Sequence, residues 1–374
     1  MNGQFTIDQK TLFATLSAMQ PICTKRTALE ATASILFHIG TRELILKSTD
    51  LEISLQASCS ISDSSIEEPF SFLVPGKRIF DLVKELEGEI TCSLAHQKLS
   101  LRSGEANVGL NIKDAEQFPP FPERIENLTH LDAPFLIELL DKVSFLIPQN
   151  NANHSLNGLL VQFSPEGLTM TTTDGHCLAQ IKTNKYPLAE KKQWLLPRRA
   201  VFELKKIVEH SSNTFIFLGV CGNQLVFSGE SFNFFTKLLN DQFPQYQTIL
   251  AKEGFEPARI DKERLMRTLR RSSCLLSGQF LATRFSFETY ALQVSLENKE
   301  VGSLVEEVPL TQFAGTPLSM RFYAPYLING LQSFEEAEIV CYLSGGTKPI
   351  IFESAKPEYH LTYLVMPVSP TTHG

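Results

Sequence analysis

The sequence predicts an α+β protein built from three tandem copies of one domain, and three observations carry that prediction. Short motifs recur at a nearly constant interval: Ser103-Gly104 returns as Ser228-Gly229, 125 residues on, and Thr49-Asp50 returns as Thr173-Asp174, 124 residues on. Each copy opens with a short strand, an Asp and a helically spaced apolar stripe. Strand-like alternation, fed by 27 phenylalanines, fills the remainder. The interval is too long for a solenoid unit and has the size of a self-sufficient domain. It divides the 374 residues into 1–125, 126–253 and 254–374.

The elements follow in order within each copy. Phe5-Thr6-Ile7 reads as a strand leading to Asp8, whose carboxylate suits a helix N-cap. Leu12, Phe13, Leu16 and Met19 then fall on one helical face. Asp132 opens the corresponding helix of the second copy, with Leu136, Leu139, Leu140 and Val143. Asp261 opens that of the third, with Leu265 and Leu269. Strands follow over Glu43–Leu55 and Leu168–Ile181, each containing the Thr-Asp pair. A second helix starts after Val74-Pro75 (Lys77–Leu86) and after Leu196-Pro197 (Arg198–Val208); the third copy keeps a rough version around Tyr326–Leu331. Two more strands close the unit, and Glu89–Leu94 returns two periods later as Glu338–Leu343. Two helices on one face of an antiparallel sheet are expected in each domain.

Charge bounds the function. The formal net charge is −7 and all three segments are net negative, so composition alone disfavours a tight nucleic-acid binder. The basic residues are nevertheless concentrated on helices. Arg264, Arg267 and Arg271 share one face at i, i+3, i+7, and the second helices of the first two copies begin Lys77-Arg78 and Arg198-Arg199. Read as equivalent helices, these give a positive helical side and a negative sheet side. The seven cysteines include no CxxC pair, which suggests reduced, mostly buried thiols in a cytoplasmic protein. The opening residues lack the pattern of a secretory leader, and Phe135–Ile147 is too short and too charged to span a bilayer, so no membrane association is expected.

Domain size then limits the assembly. A domain of this length behaves as a sphere about 36 Å across. Three in a ring leave a hole of about 6 Å, whereas six leave about 36 Å, enough for duplex DNA of roughly 20 Å. One chain therefore cannot encircle DNA, but a head-to-tail dimer can.

Enzyme readings are weak. Asp174-Gly175-His176 is the most catalytic-looking cluster, yet Thr49-Asp50 recurs without a histidine, which makes the Asp a turn-closing feature of the fold. Gly345-Gly346-Thr347-Lys348 lacks the full phosphate-loop spacing and reads as a hairpin turn. No catalytic residue, metal site or cofactor is expected.

Several motifs in order carry a resemblance: Leu156-Asn157-Gly158, Thr173-Asp174-Gly175-His176, Phe243-Pro244-x-Tyr246 and Tyr363-Leu364-Val365-Met366-Pro367. Together with the threefold repeat, the whole chain resembles the bacterial sliding-clamp family, the β subunits of the replicative DNA polymerase III holoenzyme. The resemblance implies three DNA-clamp domains closing as a head-to-tail homodimer into a six-domain ring, with helices lining the hole. It implies a non-catalytic processivity factor that encircles double-stranded DNA without reading its sequence. Its partners would be the replicative polymerase alpha subunit, clamp-loader subunits, other polymerases and repair proteins, bound through a short linear motif. A multi-domain peptide-binding scaffold without DNA encirclement is the alternative. Arg26, Gln149 and Asn150 match DNA-contacting positions, and Lys77, Arg78, Arg198 and Arg199 are expected to line the hole, as are Arg264, Arg267 and Arg271 from their helical spacing. The partner-peptide pocket would comprise Leu156, Thr173, Gly175, His176, Leu178, Pro244, Thr248, Ile249, Pro349, Leu364, Met366 and Pro367. The dimer interface would set Val108 and Leu110 against Leu275 and Leu276 of the other subunit. Cys177 stands where the family commonly has a basic residue.

Overall fold

The computed structural model describes residues 3–24, 27–95, 97–122, 125–276, 282–313 and 315–368. The first repeat runs β1 (Gly3–Asp8), α1 (Gln9–Cys23), β2 (Ser34–Ile39), β3 (Glu43–Thr49), β4 (Ile53–Ser60), β5 (Phe70–Pro75), α2 (Gly76–Lys84), β6 (Glu89–Ala95), β7 (Lys98–Ser103), β8 (Ala106–Asn111) and β9 (Lys113–Asp114). The second runs β10 (Glu126–Asp132), α3 (Ala133–Val143), β11 (Gly158–Ser164), β12 (Gly167–Thr173), β13 (Cys177–Thr183), β14 (Lys192–Pro197), α4 (Arg198–His210), β15 (Phe215–Cys221), β16 (Gln224–Ser228) and β17 (Phe232–Lys237). The third runs β18 (Glu256–Asp261), α5 (Lys262–Ser273), β19 (Thr283–Phe287), β20 (Ala291–Asn298), β21 (Gly302–Phe313), β22 (Leu318–Phe322), α6 (Ala324–Leu331), β23 (Glu338–Leu343), β24 (Ile350–Ala355) and β25 (His360–Val365). The repeated plan is strand, helix, four strands, helix, three strands, with β9 added in the first copy. All three expected aspartates cap their helices: Asp8 accepts from the Thr11 N–H at 3.0 Å, Asp132 from Phe135 at 2.7 Å and Asp261 from Arg264 at 2.7 Å.

Two compact units divide the chain. One holds residues 1–137 and 202–238. It contains a four-stranded sheet, β1-β6-β7-β8, and a nine-stranded sheet, β10-β15-β16-β17-β4-β3-β2-β5-β9. The second repeat joins the first within the nine-stranded sheet, where β17 pairs with β4 from Phe232↔Ala57 to Thr236↔Ile53. Helices α1 and α2 pack together, burying Leu12, Leu16 and Met19 with Ile79 and Val83, and Phe13 stacks on Phe80.

The other unit holds residues 138–201 and 239–374, with one twelve-stranded sheet, β14-β11-β12-β13-β25-β24-β23-β18-β21-β20-β19-β22. Here the third repeat joins the second through β25 and β13, from Cys177↔Val365 to Lys182↔His360. Helices α5 and α6 pack through Leu265, Leu269, Leu327 and Leu331. Helix α6 sits so close to β25 that a Cβ on Gly330 would overlap the Tyr363 ring. The Tyr363 hydroxyl also donates to the Tyr326 carbonyl at 2.7 Å.

The Thr-Asp pairs close the β3–β4 and β12–β13 turns, as the sequence predicts. Asp50 accepts from the Glu52 and Ile53 N–H groups at 2.9 and 2.8 Å, and Asp174 from His176 and Cys177 at 2.8 and 2.7 Å. The third turn residue has positive φ in both, +76° at Leu51 and +93° at Gly175. Residues 345–348 form the β23–β24 turn, closed by the Lys348 N–H on the Gly345 carbonyl. The seven cysteines are free, and Cys23, Cys59, Cys92, Cys177 and Cys341 are buried. Burial pushes the Cys23 thiol up to about 11 and the Cys59 thiol up to about 12. Among the described residues no helix is long and apolar enough to cross a membrane.

Candidate functional site

The join between β13 and β25 carries the candidate site. Thr172 donates to the Val143 carbonyl at the end of α3, so strand alternation turns Thr171 to the opposite face of the sheet. Residues 243–252 lie over that face. An apolar cluster there gathers Leu160, Leu178, Leu195, Phe243, Tyr246, Ile351 and Leu364, with Leu239, Ile249, Leu250, Phe255, Tyr342 and Met366 packed against it. Of the twelve expected pocket residues, Leu178, Ile249, Leu364 and Met366 therefore meet in one cluster.

The others surround it in differing ways. Pro244 and Thr248 are exposed on the covering segment, and Pro349 is buried beside Ile350 at the start of β24. Leu156 and Thr173 are buried, whereas Gly175 and His176 are exposed on the β12–β13 turn. Pro367 is half-buried after β25. The Met366 N–H donates to the His176 carbonyl at 2.9 Å, which ties the chain after β25 to that turn. The His176 ring stacks on Tyr326 with centroids 5.7 Å apart. Cys177 is buried beneath the turn, and burial with the nearby Asp174 carboxylate pushes its thiol well above the ordinary range.

This geometry speaks against an Asp174–His176 acid–base pair. Asp174 Oδ1 accepts from two backbone N–H groups, which fixes the carboxylate in the turn, and the imidazole lies against an aromatic ring. Among the described residues no group of three His, Cys, Asp or Glu side chains could hold a metal ion.

The basic helices need a correction. Helix α5 heads the third repeat, as α1 and α3 head theirs, so its counterpart is not α2 or α4. The counterpart of α2 and α4 is α6, which has no Lys or Arg. Lys77 and Arg78 are exposed on the first turn of α2. Arg198 and Arg199 are half-buried, and the Arg198 Nε donates to the Ile147 carbonyl at 3.0 Å. Arg264, Arg267 and Arg271 are all exposed on α5. Arg271, however, is ion-paired with Glu306 of β21, whose carboxyl is held below the ordinary range chiefly by that guanidinium. Its charge is thereby largely compensated. Gln149 and Asn150 are exposed after α3, and Arg26 lies outside the described residues. Val108 and Leu110 are half-buried on β8, and Leu275 and Leu276 are half-buried after α5.

Sequence models of the DNA polymerase III beta subunit match nearly the whole chain: the N-terminal domain at residues 3–122, the central domain at 130–245 and the C-terminal domain at 247–369. The chain belongs to the DNA polymerase III beta-subunit family. Its fold is three tandem clamp domains, and its function is that of a bacterial sliding clamp in DNA replication. The beta sliding clamp of Pseudomonas aeruginosa is 26% identical over 369 residues, covering 97% of this chain and 99% of the relative. That of Synechococcus elongatus is 28% identical over 340 residues, covering 88% of each. A Pseudomonas aeruginosa sliding clamp solved bound to griselimycin superposes with a TM-score of 0.90 at 24% identity, over 99% of this chain and all of that one. The Bacillus subtilis clamp gives 0.90 at 22%, over 99% and 100%.

The expected pocket set did not include nine members of this cluster: Leu160, Leu195, Leu239, Phe243, Tyr246, Leu250, Phe255, Tyr342 and Ile351. A signal was available. β11 opens with the apolar run Gly158-Leu159-Leu160-Val161 and β13 with Cys177-Leu178-Ala179, each buried on both faces, and a strand buried on both faces needs a cover on each. That cover is the segment beginning at the conspicuous Phe243-Pro244.

Proposed function

We propose that two copies of this chain close head to tail into a six-domain ring around double-stranded DNA and tether partner proteins through a short linear motif. One observation carries the ring: the edges of the sheets. β17 pairs with β4 of the preceding domain, and β25 pairs with β13 of the preceding domain. Among the described residues, β8, which holds the matching place in the first domain, is a sheet edge, and residues 302–309 of β21, the counterpart of β4 and β13, pair only with β20. Open edges are liabilities that folded proteins cover. A third pairing of the same kind, β8 of one subunit with β21 of another, would cover both. Val108 and Leu110 on β8, Leu275 and Leu276 after α5, and Val305, which is 70% exposed, supply apolar surface for it.

Lys77, Arg78, Arg198, Arg199, Arg264 and Arg267 form the proposed DNA-facing set, with Arg26, Gln149 and Asn150 contributing and Arg271 weakened by Glu306. A modest positive lining in a net-negative body suits sliding, because strong phosphate contacts would slow movement and make retention depend on salt. The apolar cluster at the β13–β25 join, with Met366 and Ile249 on its margin, is the proposed motif pocket. The replicative polymerase alpha subunit, clamp-loader subunits and repair proteins are the proposed occupants. The role is non-catalytic and cytoplasmic.

Loading onto DNA tests the reading. The protein should persist on closed circular DNA and run off after linearisation. Equal retention on both forms, or a monomer at micromolar concentration, would overturn it.

A further inference from the structure

We infer that residues 243–252 form a strap whose two polar anchors, Tyr246 and Lys252, position the wall of the peptide pocket; the inference rests on the pocket reading above. The sheet face beneath the strap carries an unexpected polar stripe. Gln193 of β14 lies opposite Gln162 of β11, and Thr171 of β12 lies opposite Gln180 of β13. Gln180 lies opposite Thr362 of β25, and Thr362 lies opposite Glu353 of β24. Thr171, Gln180 and Thr362 are 0%, 2% and 5% exposed. Polar groups at such depth cost stability unless they are paired, so an apolar face would be the default beneath an apolar cover.

The stripe is used by the strap at two points. The Tyr246 hydroxyl donates to Gln162 Oε1 at 2.9 Å and accepts from Thr171 Oγ1 at 3.2 Å, while Gln180 Nε2 donates to the same Thr171 oxygen at 3.1 Å. At the other end Lys252 Nζ donates to Glu353 Oε2 at 2.6 Å and lies 4.2 Å from the centre of the Tyr342 ring, itself packed on the apolar cluster. Between the anchors, the 3₁₀ turn Gln247–Leu250 brings Ile249 and Leu250 onto the cluster. Its amides are internally bonded, Ile249 N–H to the Tyr246 carbonyl at 3.1 Å and Ala251 N–H to the Thr248 carbonyl at 3.4 Å.

A short turn of this kind has little rigidity of its own, because it lacks a regular ladder. Fixing it at both ends pre-organises Ile249 and Leu250 and lowers the ordering cost of binding a peptide. Tyr246 and Lys252 are positioning residues in this account, acting through Ile249 and Leu250.

The test uses the full chain, with griselimycin as the probe. Tyr246→Phe removes the hydroxyl and keeps the ring. Gln162→Leu severs the same bond from the half-exposed sheet side and so guards against a folding defect special to Tyr246→Phe. Each should speed amide exchange at Ile249 and Ala251 about fivefold and weaken griselimycin binding about fivefold, matching the loss of one hydrogen bond. Unchanged exchange in both variants overturns the strap. Faster exchange with unchanged affinity overturns the positioning role. No griselimycin binding by the unaltered protein overturns the pocket reading and the positioning role with it, while exchange still decides separately whether Tyr246 holds the strap.

Discussion

The two joins between repeats use the same backbone device and finish it differently. At the first, β17 meets β4 and the Lys237 N–H donates to the Glu52 carbonyl at 2.9 Å. At the second, β25 meets β13 and the Met366 N–H donates to the His176 carbonyl at 2.9 Å, in the matching place. The side chains diverge. Phe235 opposes Ser54 at the first join, whereas Leu364 opposes Leu178 at the second. Phe121, 125 residues before Tyr246, fills the first join edge-on against Phe235 at 5.3 Å, with Lys47 Nζ 5.0 Å from its ring centre. At the second join Tyr246 reaches a polar stripe instead, and branched aliphatic side chains line the space. A ring-filled join is an ordinary domain boundary. A join with an apolar lining beneath a polar-anchored cover is suited to receive a ligand.

The largest expected effect lies at the second join. Gly330→Ala drives a methyl group into the Tyr363 ring of β25, and such overpacking should cost about 3 kcal/mol in chemical denaturation. At the first join, Phe121→Leu removes the aromatic contacts of a half-exposed side chain and should cost about 1–2 kcal/mol, while griselimycin affinity stays within about twofold. The turns give a smaller, opposed pair. Gly175→Ala places a side chain at φ +93° and should cost about 1 kcal/mol, whereas Leu51→Gly relieves φ +76° and should gain about 0.5 kcal/mol after the entropy of the unfolded chain is counted.

The smallest effect is electrostatic. Hydrogen bonds from Lys142 and Lys356 hold Glu335, in the second unit, down to about 2. A depressed carboxyl stabilises the fold above its unfolded value and loses that contribution as pH falls through its folded value. Stability should therefore decline between the ordinary carboxylate value of 4.5 and about 2, and the loss should shrink at high salt because Glu335 is more than half exposed. Thermal midpoints across that range would check it; Lys142→Met should flatten the decline.

Much of the fold was legible because its signals are local. Asp8, Asp132 and Asp261 each sit three residues before the N–H they cap, and Asp50 and Asp174 each close a turn within three residues. Of the candidate site, Leu178, Ile249, Leu364 and Met366 were named from the sequence and meet in one apolar cluster. Its missing members, such as Leu160 and Ile351, lie far apart in sequence and show no alternation, since both faces of their strands are covered. Arg271 illustrates the same limit for charge. Helical spacing put it on a basic face, but Glu306, on a distant strand, takes up that charge.

The sequence by itself determined three like domains, their caps and their turns, because periodicity and short-range hydrogen bonds act between near neighbours. Only the tertiary structure decided which join would carry an apolar lining and which arginine would be neutralised. The first depends on strand register across a sheet that spans two repeats, which brings together side chains a hundred or more residues apart; the second depends on the packing of α5 against β21, which sets Arg271 beside Glu306, 35 residues on.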